Sequence, residues 1–490
     1  MRRLWFALLV MILLVPGCPP SSEGPSRLHW TVIELGPVSP LDVPSQAVTI
    51  REIGRYSPPD GSLWPAALDY RGQAVWLWGS DGNPMLIAAR PRPAQPEQGG
   101  QSPPQFTVWT LATGQLESFP FTCQPPKDSW PAIPVFAQRG EDGVPYGNID
   151  FAFISAAGES TTRGASIDKG EPRGLPVIDS ILVCGTDIPD ASKPTEAREV
   201  RTGDRELSAE NMLAPLDRNG AQSLVFRDFA DVAVNIPNKS VRLIPGWRRI
   251  DLDGATGPTS LYPALEMTYG AELTGFLDSP PVYFLTGKSP FESRSLTFVT
   301  DLEEVAAIAP WRRPDQPDSD PLPLRITGYV PAVRWGTGNE SIVFAEHGER
   351  SGNSTHIVAM SLNPSDIPGL RPEVIWAADV PNIFAVATVV PVGPDRRPYI
   401  VCLNPLTGEI TVFDPLLGAI RHQGKIRLAD WEAGADLASF CLNFEPDPAR
   451  PVVFVHDPVA NEMIELRIEA TESAGGSRGG GIVPLDEPRE

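Results

Sequence analysis

The sequence predicts an all-β chain built as one large repeat module, and three observations carry that expectation. First, 55 Pro and 43 Gly among 490 residues punctuate short β-rich runs, and few long windows space apolar residues as a helix would. Second, Arg397 to Val412 aligns without a gap over Arg450 to Glu465, at a spacing of 53 residues. The Arg, both Pro and the Glu of the two segments coincide. Each reads as a strand, a turn and a returning strand, with Gly408 or Asn461 placed where positive φ costs little. Third, weaker copies occur upstream: Thr113-Gly114-Gln115 repeats the Thr-Gly-polar turn, and Leu362-Asn363-Pro364 repeats the end of the first strand. Ile149 to Ile154, Val232 to Asn235 and Pro281 to Thr286 are further strand candidates.

Units of about 50 to 75 residues made only of strands and hairpins select a β-propeller, in which four-stranded blades surround a channel. About seven blades are expected, with starts near residues 60, 130, 206, 260, 325, 378 and 430. The strand Ala47 to Ile53 is placed to complete the last blade and close the ring, which removes exposed sheet edges. The competing architecture is a pair of β-sandwiches divided near the Pro-rich loop at 310–323.

From the amino end, Arg2 and Arg3 precede an apolar run of 12 residues, Leu4 to Val15, and Gly17 stands directly before Cys18. The run is short of the roughly 18 to 20 apolar residues a spanning helix needs, so it reads as an export signal. Val15-Pro16-Gly17-Cys18 resembles the lipobox of bacterial lipoproteins. That resemblance implies cleavage before Cys18, acyl chains on its thiol, and attachment to the membrane through lipid. In the enteric members of that family an Asp after the Cys favours inner-membrane retention. Pro19 in that place leans toward the outer membrane.

The expected organisation is therefore a signal at 1–17, lipidated Cys and tether at 18–27, propeller at 28–470 and a disordered tail at 471–490. The tether is Pro-, Ser- and Gly-rich, and the tail is too poor in apolar residues to offset its ordering entropy. Between strands, 88–105, 158–174, 193–207 and 311–323 read as surface excursions. The hairpins also resemble YVTN-type bacterial propeller repeats, a likeness that implies the fold and carries no site residue.

The chain is acidic, with 61 acids against 40 bases and a formal charge of −21. Removing 1–17 takes two Arg and no acid, leaving 38 bases and a charge of −23. That sign repels nucleic acid and anionic lipid, so neither is an expected partner. Cys123, Cys184, Cys402 and Cys441 remain, an even number in a compartment that permits disulfides. Sequence proximity favours Cys123 with Cys184 and Cys402 with Cys441, and buried free thiols are an equal alternative.

Candidate chemistry is sparse. Asp251-Leu252-Asp253-Gly254 resembles the start of the calcium loops of integrin-like propellers, which implies Ca²⁺ if anything. A plain Asp-Gly turn is the simpler reading. Glu346 and His347, with His356, flank a hairpin and hold imidazole and carboxylate groups suited to a transition metal if the strands gather them. No catalytic residue and no resident cofactor is assigned, since nucleophile-elbow, zinc-protease, P-loop and dinucleotide motifs are missing. Trp76 and Trp78 share one strand face and, with Trp109, suit packing between blades. The expected role is a binding platform for a protein or envelope polymer. A propeller hydrolase or lactonase with a metal or acid pair at the channel is the alternative.

Overall fold

The computed structural model describes residues 29–58, the strands between 74 and 300, and most of 304–472. Every regular element among these residues is a strand. The fold is all-β, as the turn-rich composition dictates. The signal, Cys18 and the tether lie outside the described residues. The last strand, Glu462–Glu472, runs two residues into the expected tail, the remainder of which also lies outside.

Antiparallel meanders recur along the chain. Ala74–Trp78, Pro84–Ala89, Gln105–Thr110 and Gln115–Pro120 form one sheet, and Ala387–Val392, Arg397–Leu403, Glu409–Asp414 and Ala419–Lys425 form another. Glu272–Asp278, Pro281–Lys288, Arg294–Thr300 and Glu304–Ile308 form a third, which His29–Ile33 extends in parallel. This fifth strand was not foreseen. In the fourth, Leu324–Ile326 and Ala332–Arg334 both pair with Ser341–Ser351, followed by Ser354–Leu362 and Glu373–Pro381.

The sheet of Ser439–Phe440, Val452–Asp457 and Glu462–Glu472 is completed by Gln46–Tyr56, which lies antiparallel along Glu462–Glu472 from Gln46 opposite Glu472 to Tyr56 opposite Met463. The early strand expected at 47–53 therefore does join the last hairpin.

The modules expected from 130 and 206 differ from expectation. Apart from a separate hairpin of Val232–Val234 and Val241–Leu243, their strands belong to one ten-stranded sheet. The two units join at two short contacts: Leu207–Leu213 meets Pro176–Gly185 at Leu207 opposite Ile178 and Ser208 opposite Val177, and Gly220 pairs with Val135. Backbone groups at two sheet edges pair when nothing else satisfies them, and that fuses two units into one ladder.

Consecutive sheets pack face to face. Leu296, Phe298 and Ile308 of the 272–308 sheet share a buried core with Val343, Val358 and Met360 of the 324–381 sheet. The opposite face of that sheet, through Phe344, Ala359 and Trp376, packs on Ile400, Cys402 and Phe413 of the 387–425 sheet. Val401 and Val412 on its far side then meet Val453, Val455, Ile464 and Leu466, together with Val48 and Ile50 from the early strand. Finally, Tyr56 stacks edge-on against buried Trp109 of the 74–120 sheet, with ring centroids 5.9 Å apart. Successive side chains point to opposite faces, so unbroken apolar runs such as Tyr399 to Leu403 supply two buried faces, Tyr399, Val401 and Leu403 to one and Ile400 and Cys402 to the other.

Candidate interaction face

Among the described residues, one turn is used three times. In Asn404-Pro405-Leu406-Thr407-Gly408, the Asn404 Oδ1 accepts from the amides of Leu406 and Thr407 at 3.1 and 3.3 Å, and Gly408 has φ 73°. In Asp457-Pro458-Val459-Ala460-Asn461, the Asp457 Oδ1 accepts from Val459 and Ala460 at 3.2 and 3.1 Å, and Asn461 has φ 54°. These are the two halves of the 53-residue alignment. The third copy, Asp414-Pro415-Leu416-Leu417-Gly418, repeats the pattern at 3.1 and 3.3 Å with φ 64° at Gly418. Sequence reasoning missed it, although the Asp-Pro-x-x-Gly spacing was its signal. A short polar side chain folding onto the next amides explains the shared residue types.

The Thr-Gly turn also recurs as expected. Thr407 Oγ1 accepts from the Glu409 amide at 3.3 Å and Thr113 Oγ1 from the Gln115 amide at 3.2 Å.

These turns define two ends of the sheet stack. Trp376 Nε1 donates to the Pro415 carbonyl at 2.8 Å, so the 415–418 turn lies beside the start of Glu373–Pro381 in the neighbouring sheet. The 404–408 and 351–354 hairpins consequently lie at the other end. The segment after Lys425 crosses that end between two turns: Ile426 N donates to Gly408 O at 2.9 Å and Ala429 N to Asp457 Oδ2 at 2.7 Å. The turns at 404–408 and 457–461 thus share one face with residues 426–431.

The segment 309–323 fastens to the same end of the 324–381 sheet. His347 lies directly opposite His356, and His356 opposite Asp379, giving a cross-strand row. The His347 Nε2–H donates to the Trp311 carbonyl at 2.9 Å, because a carbonyl can only accept. His356 Nδ1–H donates to Asp379 Oδ1 at 3.0 Å, and Arg313 forks onto the same carboxylate at 3.3 and 3.1 Å while also holding Asp315. The imidazoles stand edge to face, 5.4 Å between centroids. His356 Nε2 is buried with no partner among the described residues.

Burial lowers the pKa of both His347 and His356, and the neighbouring Arg313 adds to it. Burial alone would raise Asp379, but the bonds from Arg313 and His356 outweigh it and hold it below the usual carboxylate range. The row therefore rests as two neutral imidazoles and one carboxylate, a clamp on the overlying segment.

The proposed ligand set of Glu346 and His347 does not assemble. They are consecutive strand residues and so occupy opposite faces: His347 lies against Trp311, and Glu346 follows the register of Ile342 and Phe344, which face the next sheet. Among the described residues, no three or more His, Cys, Asp or Glu side chains are placed to hold a metal ion. Asp251 ends the strand Gly246–Asp251, opposite Ser223; Asp253 lies outside the described residues.

Cys184 is disulfide-bonded, with a partner outside the described residues. Cys402 is a free thiol at 2% exposure, so of its two expected states the buried thiol holds and the bond to Cys441 does not. It sits mid-strand between Ala387 and Thr411, facing Trp376 and Phe413, and burial pushes its pKa far up. Cys123 and Cys441 lie outside the described residues.

The best-built charged group was not foreseen. Asp414 is fully buried; its Oδ2 accepts from Arg397 at 2.8 Å and Arg421 at 3.2 Å while its Oδ1 holds the turn. Arg397 also donates to the Pro44 carbonyl. The same Arg that opens the repeat ties the incoming chain to the sheet.

No family model matches the chain, and no curated protein matches it. Among solved structures, it is similar to the β-propeller domain of Cps50 (Swd1) from Myceliophteria thermophila, at 11% identity and TM-score 0.37 over 83% of this chain and 99% of that one. It is also similar to the WD40 domain of Toxoplasma gondii coronin, at 8% identity and TM-score 0.42 over 89% of each chain. Apo AztD from Citrobacter koseri shares 13% identity at TM-score 0.30, over 81% of this chain and 98% of that one. At these scores the likenesses add no argument, and the architecture rests on strand order and packing.

Proposed function

We propose that the chain is a lipid-anchored β-propeller of about seven blades that serves as a binding platform in a bacterial cell envelope, with the outer membrane as its site. The observation that carries this reading is the pairing of Gln46–Tyr56 with Glu462–Glu472. An early strand that completes the last sheet is how a series of radial blades becomes a ring. The face-to-face packing of consecutive sheets supports it further, since the sheet holding both chain segments also touches the 74–120 sheet through Tyr56 and Trp109.

A closed ring of this kind holds its connecting segments on a rigid scaffold, which suits recognition at low entropic cost. The acidic balance, −21, leaves membrane attachment to the lipid on Cys18. Replacing Cys18 with Ser is expected to move the protein from the membrane to the soluble fraction; unchanged fractionation overturns the anchor. Deleting residues 46–54 is expected to lower the melting temperature sharply, and equal stability overturns closure. Isolation from solubilised membranes with metal analysis separates platform from hydrolase, because a stoichiometric bound metal favours the enzyme.

A further inference from the structure

Large apolar side chains left exposed among the described residues are unevenly placed. Val32, Ile53 and Ile420 sit on strands and Leu322 lies in the 309–323 segment, whereas Leu406 at 61%, Trp431 at 45%, Leu437 at 46% and Val459 at 37% lie about the 404–408 and 457–461 turns. Leu406 and Val459 occupy the same position in two copies of the Asx-Pro turn. Trp431 follows Ala429, whose amide is held by Asp457, and Leu437 lies just before Ser439, which pairs with His456 next to that turn. The turns that carry Leu406 and Val459 are held by Asn404 and Asp457, and the Gly408–Ile426 bond and the Asp457 carboxylate hold the chain leading to Trp431. A preorganised group of apolar side chains presented together in this way is a surface that loses little entropy when covered.

The geometry points to this end as the docking face for a protein partner whose contact surface has an apolar centre bordered by Lys and Arg. The proposal rests on the platform reading and names its partner class. Charge argues for the basic border: the chain carries −21 overall, and the end holds exposed Glu409, Asp430, Asp318 and Asp320 against exposed Lys425, Arg427 and Arg312. Lys425 stands opposite Glu409 in the ladder, which leaves the acids in excess.

Chain direction argues against the bilayer as the occupant. His29–Ile33 runs parallel to Glu304–Ile308, and Ile33 O accepts from Ala309 at 2.9 Å, at the start of the 309–323 segment. The chain therefore enters from the opposite end, where Glu472 also lies beside Gln46. On the platform reading, an anchor upstream of His29 places the membrane at that end and the Leu406 and Trp431 face on the aqueous side.

The test uses the full lipidated chain in detergent and two synthetic amphipathic peptides of equal length, one of Leu and Lys and one of Leu and Glu. Fluorescence anisotropy is read at low and physiological ionic strength. The Lys peptide is expected to bind, the Glu peptide at least tenfold more weakly. The variant Leu406→Ser/Trp431→Ser/Val459→Ser is expected to lose at least tenfold, while Val32→Ser/Ile420→Ser matches the parent. Equal binding of the two peptides, or equal loss in both variants, overturns the proposal. Binding of the parent to phosphatidylcholine vesicles that the triple variant loses assigns the face to the bilayer instead and also overturns it. Melting curves of each variant and fractionation of the parent report separately on the fold and the anchor, so failure of the partner class is distinguishable from failure of the platform.

Discussion

Gly408 and Gly114 occupy the same Thr-Gly turn and both adopt left-handed backbone, φ 73° and 66°. Their surroundings differ. A Cβ at Gly114 meets nothing within 4 Å, whereas one at Gly408 falls 2.2 Å from the Ile426 carbonyl oxygen and 3.5 Å from Leu428. Gly114→Ala therefore costs the left-handed penalty, about 1 to 2 kcal/mol, partly offset by about 0.4 to 1 kcal/mol from a less free unfolded chain. Gly408→Ala carries the same terms and must also displace backbone. The displaced Ile426 breaks its bond to Gly408 O, worth about 0.5 to 1.5 kcal/mol, and overpacking adds about 1 to 3 kcal/mol. The two variants should differ by about 2 to 4 kcal/mol. Asn separates the causes, since it tolerates the left-handed region yet still brings a Cβ: Gly114→Asn is expected to be near neutral and Gly408→Asn to remain strongly destabilised. Urea denaturation followed by tryptophan fluorescence measures the order. If Gly408→Ala proves no less stable than Gly114→Ala, the backbone collision argument is wrong.

Two further outcomes follow from buried charge. Asp414→Ala strands Arg397, itself 3% exposed, without its counter-charge and is expected to cost about 3 to 5 kcal/mol. Asn404→Ala, which removes the same turn bonds at an exposed site, is expected to cost only about 1 kcal/mol; comparable losses in denaturation experiments would refute the role of the ion pair. For His347 and His356, folded pKa values below the unfolded value of about 6.5 mean that the unfolded chain binds more protons just beneath that pH. Stability is then full above about pH 6.5 and falls as pH drops, by up to about 1.4 kcal/mol per unit for each imidazole. Melting temperatures between pH 8 and 5 check this, and the slope should flatten in His347→Asn/His356→Asn. A parent profile as flat as that variant's would contradict it.

Much of the fold was legible because local chemistry repeated. The Asn404 and Asp457 turns, the Thr-Gly corners and the early strand at 46–56 each depend on short-range geometry that residue type alone dictates. Other features depend on which edges meet. The seam between Leu207 and Ile178 joins backbones, and backbones carry no sequence label. The parallel addition of His29–Ile33 escaped for the same reason. In the candidate site, His347 and Glu346 were adjacent in sequence and so were read together, yet strand alternation sends them to different sheets' interfaces. The cross-strand row of His347, His356 and Asp379 depends instead on register across three strands, which sequence spacing does not specify. Asp414 was hidden because its burial beside Arg397 follows from the incoming segment at Pro44.

The union of the early strand Gln46–Tyr56 with the last strand has a consequence for how the molecule is made. Tyr56 bonds to Glu465, 409 residues later, so the sheet cannot be sealed while the chain is still emerging amino end first. Until the carboxy-terminal hairpin arrives, Gln46–Tyr56 is an unmatched edge able to recruit other backbones, and joining such distant segments is intrinsically slow. Maturation is thus gated by completion of the chain, and a truncated product would be exposed to aggregation or proteolysis along its unsealed border.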